Sequence, residues 1–336
     1  LARFLDKYHA GIDRFSDFAS SRHRFIGMSL LRICFGFLTT VFYALHLHQR
    51  SFLWGPQAVV TNNDMHLLMA QTRAWSLYEY FPSSLGSETL YWLGLIVSIC
   101  FAAGIYTRIT SILFFVLTWS VYERNYYAID GGENLLIILC LYLIFADLDA
   151  VSIDRAMRGA KPRRFLPDWF TAMVHNAALF ACLFQVAILY FISAFFKVRG
   201  HVWVNGTALY YILRTDAFSL PGWSDRLILS ALFVTVGTYA TILFELAYPW
   251  LVWQHRYRYV ITAGAVLLHT GIAVFMGLPW FSMAMISVHV LLFRDSEYLR
   301  LAAWCRRTAA MFLSAGRWFD KSDSAVSVGT TVEVSE

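Results

Sequence analysis

Lys197 is the residue best placed for acid–base chemistry. It closes a long apolar run, and Tyr190, Ser193 and Lys197 fall at i, i+3 and i+7, on one helical face. Of the four lysines (Lys7, Lys161, Lys197, Lys321), it alone lies outside the segments assigned below to the cytoplasm. A lysine stripped of part of its water shell loses its proton more readily and can act as a base. A lysine snorkelling from a helix end to the interface fits the same spacing, and both readings stand. His269 lies well inside a later apolar run, with Thr262 two turns earlier on the same face. A buried imidazole can bond a ligand oxygen or shuttle protons, or simply bond a neighbouring helix. Glu245 shares a stripe with Thr238, Thr241 and Tyr248. Counting from the outer end of its run puts it roughly 25 Å deep. It is therefore expected to miss Lys197 and to pair structurally, with Arg32 or a neighbouring helix, or to relay protons.

The connection Glu123–Asn134 is dense in polar groups between two short apolar runs. Gly131 and Gly132 would let its backbone turn sharply or approach a ligand. Short flanking runs suggest a turn sunk into the bundle, where irregular backbone requires a polar cavity. An ordinary outer loop is the alternative. Asn125, Tyr126 and Asn134 are its candidate ligand contacts. No spacing of His, Cys and carboxylates suits a metal, so no metal is expected. There is no phosphate-binding glycine loop, nucleophile elbow or dinucleotide fingerprint, which argues against ATP-driven transport.

The elements that must position these residues are apolar helices. Charged residues make up 15% of the 336, well below the roughly 25% of soluble domains, while 58% are hydrophobic. Such a chain reads as an all-α integral membrane protein, with lipid as its solvent. Eight candidate spans follow: Ile26–Leu47, Thr89–Tyr106, Ile109–Tyr122, Asn134–Ala146, Met173–Phe196, Leu227–Trp253, Tyr259–Leu278 and Pro279–Phe293. With the N-terminus inside, 19 of the 27 Lys/Arg fall on the cytoplasmic side, seven outside, and Arg32 within the first span. That asymmetry fits the positive-inside rule and places both termini in the cytoplasm of a multi-pass plasma (inner) membrane protein. Residues 1–24 then form a cytoplasmic amphipathic segment, 25–293 the membrane domain, and 294–336 a basic tail with a disordered end. His48–Glu88 and Val198–Arg226 are long outer connections, with a short helix expected over Thr207–Leu213. The basic residues form no dense stripe, so no nucleic-acid partner is expected. Cys34, Cys100, Cys140 and Cys182 sit in apolar runs as small apolar fillers.

Phe191–Lys197, then Trp203, then Gly206–Tyr211 resembles a segment of the vitamin K-dependent γ-carboxylase family, in which a lysine-ended membrane helix precedes a tryptophan and a glycine-initiated helix. Leu268-His269-Thr270 through Phe281 resembles that family's histidine-bearing helix and its tight turn. Bacterial relatives share this core as the HTTM membrane domain. The Asp130–Leu135 turn is closer to the branch containing SdpB, which matures a sporulation-delaying peptide toxin. The resemblance implies that Lys197 deprotonates a vitamin K-type hydroquinone (menaquinol) and that His269 lies beside it. It also implies that Tyr190, Ser193, Trp203 and Tyr210, with the Asn125–Asn134 turn, shape the pocket. Two departures stand out. No large extracytoplasmic domain follows the last span, and the carboxylases' Asn-His pair is here Asn125-Tyr126. The SdpB branch implies instead an accessory role in maturation, export or immunity of a secreted peptide, with that peptide or a small protein as partner. A transporter is the weaker third class, since no inverted repeat is evident.

Overall fold

A computed structural model describes residues 20–159, 166–219 and 222–326, and every regular element among them is helical. The readings made for 1–24 and for the disordered C-terminal end fall largely on 1–19 and 327–336, outside the described residues. The principal helices are α1 (Phe25–Leu45), α2 (Ser84–Ala103), α3 (Thr107–Arg124), α4 (Gly131–Leu143), α5 (Asp168–Arg199), α6 (Ala231–Leu251), α7 (Arg258–Phe275), α8 (Pro279–Ser287) and α9 (Asp295–Val326). Five are long and apolar enough to cross a membrane: α1, α2, α5, α6, and α7 with the turn before it. Two more apolar segments, α4 and Pro279–Leu292, are shorter. Residues up to Phe293 form one compact unit and those from Arg294 a second.

In the first unit α1 packs on α2 and α8, α4 on α3, α5 and α8, α6 on α5, and α7 on α8. Large apolar residues such as Phe35, Phe42, Trp54 and Phe114 fill the interior, and others remain exposed on the outer faces of the helices. Phe180, Phe184, Ile188, Phe191 and Phe195 make an exposed stripe along α5, and Leu232, Val236, Leu243 and Trp250 do the same on α6. A water-soluble monomer rarely leaves so much apolar surface open, whereas hydrocarbon favours it. These exposed faces mark a protein that lives in a bilayer.

Two buried arginines fasten the bundle. Arg32, fully buried in α1, donates to the carbonyls of Phe101 and Ala102 at the end of α2 and to those of Leu148 and Val151. The last carbonyls of a helix lack intrahelical partners and carry partial negative charge, so a guanidinium is the natural partner. Gly104 ends α2 at φ +76, and a side chain there would strike Ser152 and the Arg32 guanidinium. The expected pairing of Arg32 with Glu245 is thus not made. Its charge is satisfied by the carbonyls, one helix end away.

Arg124, the last residue of α3, reaches the carbonyls of Val60 (2.8 Å) and Gly55 (2.7 Å). Trp54 Nε1 donates to the Val121 carbonyl at 2.9 Å. The connection from α1 to α2 is therefore folded and tied to α3, with short helices at Arg50–Trp54, Asn62–Thr72 and Leu77–Tyr80.

Replacing Arg32 by methionine leaves several buried carbonyls without a donor. The loss should be on the order of 3 kcal/mol, read as a lower unfolding midpoint in detergent. Arg32→Lys should recover little of it, because one ammonium cannot span the four carbonyls. An unchanged midpoint in Arg32→Met would contradict this role.

Candidate functional site

α5 and α6 place the chemistry. Tyr190, Ser193 and Lys197 share one face of α5, as their spacing predicts. Lys197 Nζ lies 2.8 Å from both Glu245 carboxylate oxygens and also donates to Ser193 Oγ. All three ammonium donors are thereby used. The ammonium sits 5.1 Å from the Trp203 ring centroid, within cation–π range. The two charged side chains are 18% and 8% exposed.

This ion pair corrects the expectation that Glu245 and Lys197 do not touch. Counting depth by residues treats the adjoining ends of α5 and α6 as level. In the structure the last turn of α5 meets α6 through Lys197 and Glu245, about two-thirds of the way along α6, and the chain beyond it packs back along α6. Tyr239 donates to the Val204 carbonyl at 2.8 Å, and the Leu209 amide donates to Thr238 Oγ1 at 3.3 Å. The short helix Ala208–Ile212 lies against α6, within the expected Thr207–Leu213. The sixth span also starts later than expected, because Ser224–Ile228 is a separate short helix. Glu245 is fourteen residues into α6, about 21 Å along its axis. Pro249, one turn on, has no N–H, so the Glu245 carbonyl has no helical hydrogen bond from that position.

His269 of α7 completes the cluster. It is buried, and its Nε2 shares a 2.7 Å hydrogen bond with the Tyr190 hydroxyl. Its Nδ1 has no partner. The Tyr190 ring lies 4.2 Å from that of Tyr248 on α6. Tyr248 in turn meets His289 edge-on at 5.6 Å. His289 is also buried; its Nδ1 bonds the Met285 carbonyl at 3.0 Å, and its Nε2 is unpartnered. Sequence reasoning passed over His289, although the rule that marked His269 applies equally to a histidine in the last apolar run.

The glycine turn reaches this cluster indirectly. Asp130 caps α4: it accepts from the Gly132 amide at 2.6 Å, and its own amide donates to Glu133 Oε2 at 2.9 Å. A Cβ on Gly132 would come within 2.6 Å of Phe281 Cα. Phe281 stacks edge-on against His269 at 5.4 Å. Gly131 also faces the Phe281 ring. Gly132 therefore sets how closely α4 approaches the start of α8, and through Phe281 how His269 is held.

Other predicted site residues lie elsewhere. Asn125 is buried and donates to the Leu53 carbonyl at 3.2 Å, fixing the connection from α1 to α2. Tyr126 is 57% exposed, and Asn134 is exposed on the first turn of α4. Tyr210 accepts from Arg214. No hydrogen bond among the described residues ties these four to Lys197 or His269.

No known family profile matches the chain, and no solved structure matches it. Two proteins of Bacillus subtilis (strain 168) are similar to it. Uncharacterized protein YitO is 26% identical over 227 residues, 64% of this chain and 72% of YitO. Sporulation-delaying protein SdpB is 23% identical over 227 residues, 66% of this chain and 69% of SdpB. Fold and similarity together define a helical membrane protein with a distant, SdpB-like relationship.

Tyr190→Phe should leave His269 with neither nitrogen bonded, at a cost of about 1–3 kcal/mol. Combined with His269→Leu, the Tyr190 substitution should cost markedly less, since no orphaned imidazole remains. A double-mutant cycle on detergent-solubilised protein reads this directly, and strict additivity would contradict the bond. Gly132→Ala should lower the unfolding midpoint as well, because the atom it meets belongs to backbone; a midpoint at or above that of the unmodified protein would contradict the close approach.

Proposed function

We propose that this chain is an accessory membrane protein of a secreted-peptide system, serving maturation, export or immunity. On this reading its Lys197–Glu245–His269 cluster acts on the extracytoplasmic side of a plasma (inner) membrane. The similarity to SdpB, across about two thirds of either chain, supports the peptide connection. The observation that carries the site is the buried ion pair. Two charges held at membrane depth are costly, and a protein with a structural role alone could fill the same space with apolar groups. The bundle has eight spans in this reading: the five long apolar helices, the two shorter apolar segments, and α3, with both termini cytoplasmic.

Deleting the gene should remove or mass-shift a peptide in the culture supernatant, and the unmodified gene should restore it. Lys197→Met/Glu245→Met, which removes both charges, should accumulate in the membrane without restoring the peptide. Identical supernatant peptides in all strains would rule the proposal out.

A second reading is that of an HTTM-domain enzyme related to the vitamin K-dependent γ-carboxylases. Here Lys197 is the base: its proton passes to the Glu245 carboxylate, the free amine then takes the hydroxyl proton of a menaquinol, and His269, Tyr190 and Trp203 shape the pocket. It is favoured by the buried His269 Nδ1, which has no partner while Nε2 bonds the Tyr190 hydroxyl at 2.7 Å. Purified protein should then carry a lipid-soluble quinone detectable by mass spectrometry. Absence of quinone, with hydroquinone turnover unchanged in the double variant, would exclude it.

A further inference from the structure

The second unit, from Arg294 onward, contains α9. Its start is fixed locally. The Arg294 amide donates to Glu297 Oε2 at 2.9 Å, and Asp295 and Glu297 occupy the first turn, where carboxylates favour a helix start. α9 begins two residues after Phe293, where the last apolar segment of the first unit ends. Its register separates two arcs. At 100° per residue, Arg300, Arg306 and Arg307 fall within about 120° of one another. Tyr298, Leu301, Trp304, Cys305 and Met311 fall within about 140° on the other side. Leu299 falls on the arginine side, and Glu297 and Thr308 fall within the apolar arc.

The apolar arc is open: Leu301 is 56% exposed, Trp304 63% and Met311 63%. A tryptophan and long aliphatic chains opposite arginines, on a helix of modest overall hydrophobicity, suit the boundary between headgroups and acyl chains. Such a helix is too polar to cross a bilayer and too apolar on one face to remain in water. Clustered arginines strengthen attachment to a leaflet of anionic lipid and add little near a neutral one.

We infer that α9 is a membrane-surface helix, its Leu301–Trp304–Met311 face in the acyl boundary and its arginines on anionic phospholipid headgroups. The occupant of the apolar face is lipid, because the arginine arc supplies the matching charge and the chain enters α9 directly from a membrane-embedded segment. The inference is independent of the peptide and quinone readings, since it uses no residue of the Lys197 cluster.

Cys305 lies in the apolar arc and is exposed, while Cys140 and Cys182 are buried. With Cys34 and Cys100 replaced by alanine, bimane on Cys305 of the full chain reports the environment of α9. The protein is reconstituted into phosphatidylcholine vesicles with or without phosphatidylglycerol, with bromine on the acyl chains as quencher. Blue-shifted, bromine-quenched emission is expected in the phosphatidylglycerol vesicles. Arg300→Glu/Arg306→Glu/Arg307→Glu should reduce the quenching to the phosphatidylcholine level, while far-ultraviolet helicity is retained. Leu301→Gln/Met311→Gln should reduce it in both lipids. Emission insensitive to lipid and to bromine would overturn the inference. So would oxidative cross-linking of Cys305 between two copies with no quenching, which would assign the face to a second chain.

Discussion

The contact between Lys197 and Glu245 governs how the site region is built. A charge this far removed from solvent is costly when alone, and direct pairing with full use of the ammonium donors offsets that cost. Meeting that requirement sets the relative height of α5 and α6. It brings the connection after α5 back along α6, so that Val204 and Leu209 bond Tyr239 and Thr238. It also places Tyr190 where its hydroxyl meets His269 of α7. Four elements are thus registered around one ion pair.

The same economy of charge explains the arginines. Arg32 and Arg124 are both nearly inaccessible, and both spend their donors on backbone carbonyls rather than on carboxylates. Each ties a helix end to a connection. The bundle therefore divides its buried cations by role. Two guanidiniums act as fasteners, where a planar fork can serve several carbonyls. The Lys197 ammonium instead sits with a carboxylate and a hydroxyl.

The helical architecture was legible because lipid-facing helices need only length and apolarity, and eight apolar runs become eight helical segments with ends shifted by a few residues. The shared face of Tyr190, Ser193 and Lys197 was legible for a similar reason, since helical periodicity is local. What failed was anything that depended on relative height. Glu245 was placed away from Lys197 because residue counting assumes that neighbouring helices start level, and sequence holds no marker of how far a connection folds back. Arg32 was matched to a carboxylate because carbonyls at a helix end carry no sequence signature. His289 was readable by the rule that found His269, and Pro249 by its position one turn after Glu245.

The most direct measurement of the account is a charge-removal cycle on Lys197 and Glu245, read by unfolding midpoint in one detergent. Lys197→Met and Glu245→Met should each cost about 3–5 kcal/mol, because each strands a buried charge. The double variant should regain most of that loss. Costs that simply add, or single variants as stable as the unmodified protein, would show that the two charges are not paired out of water.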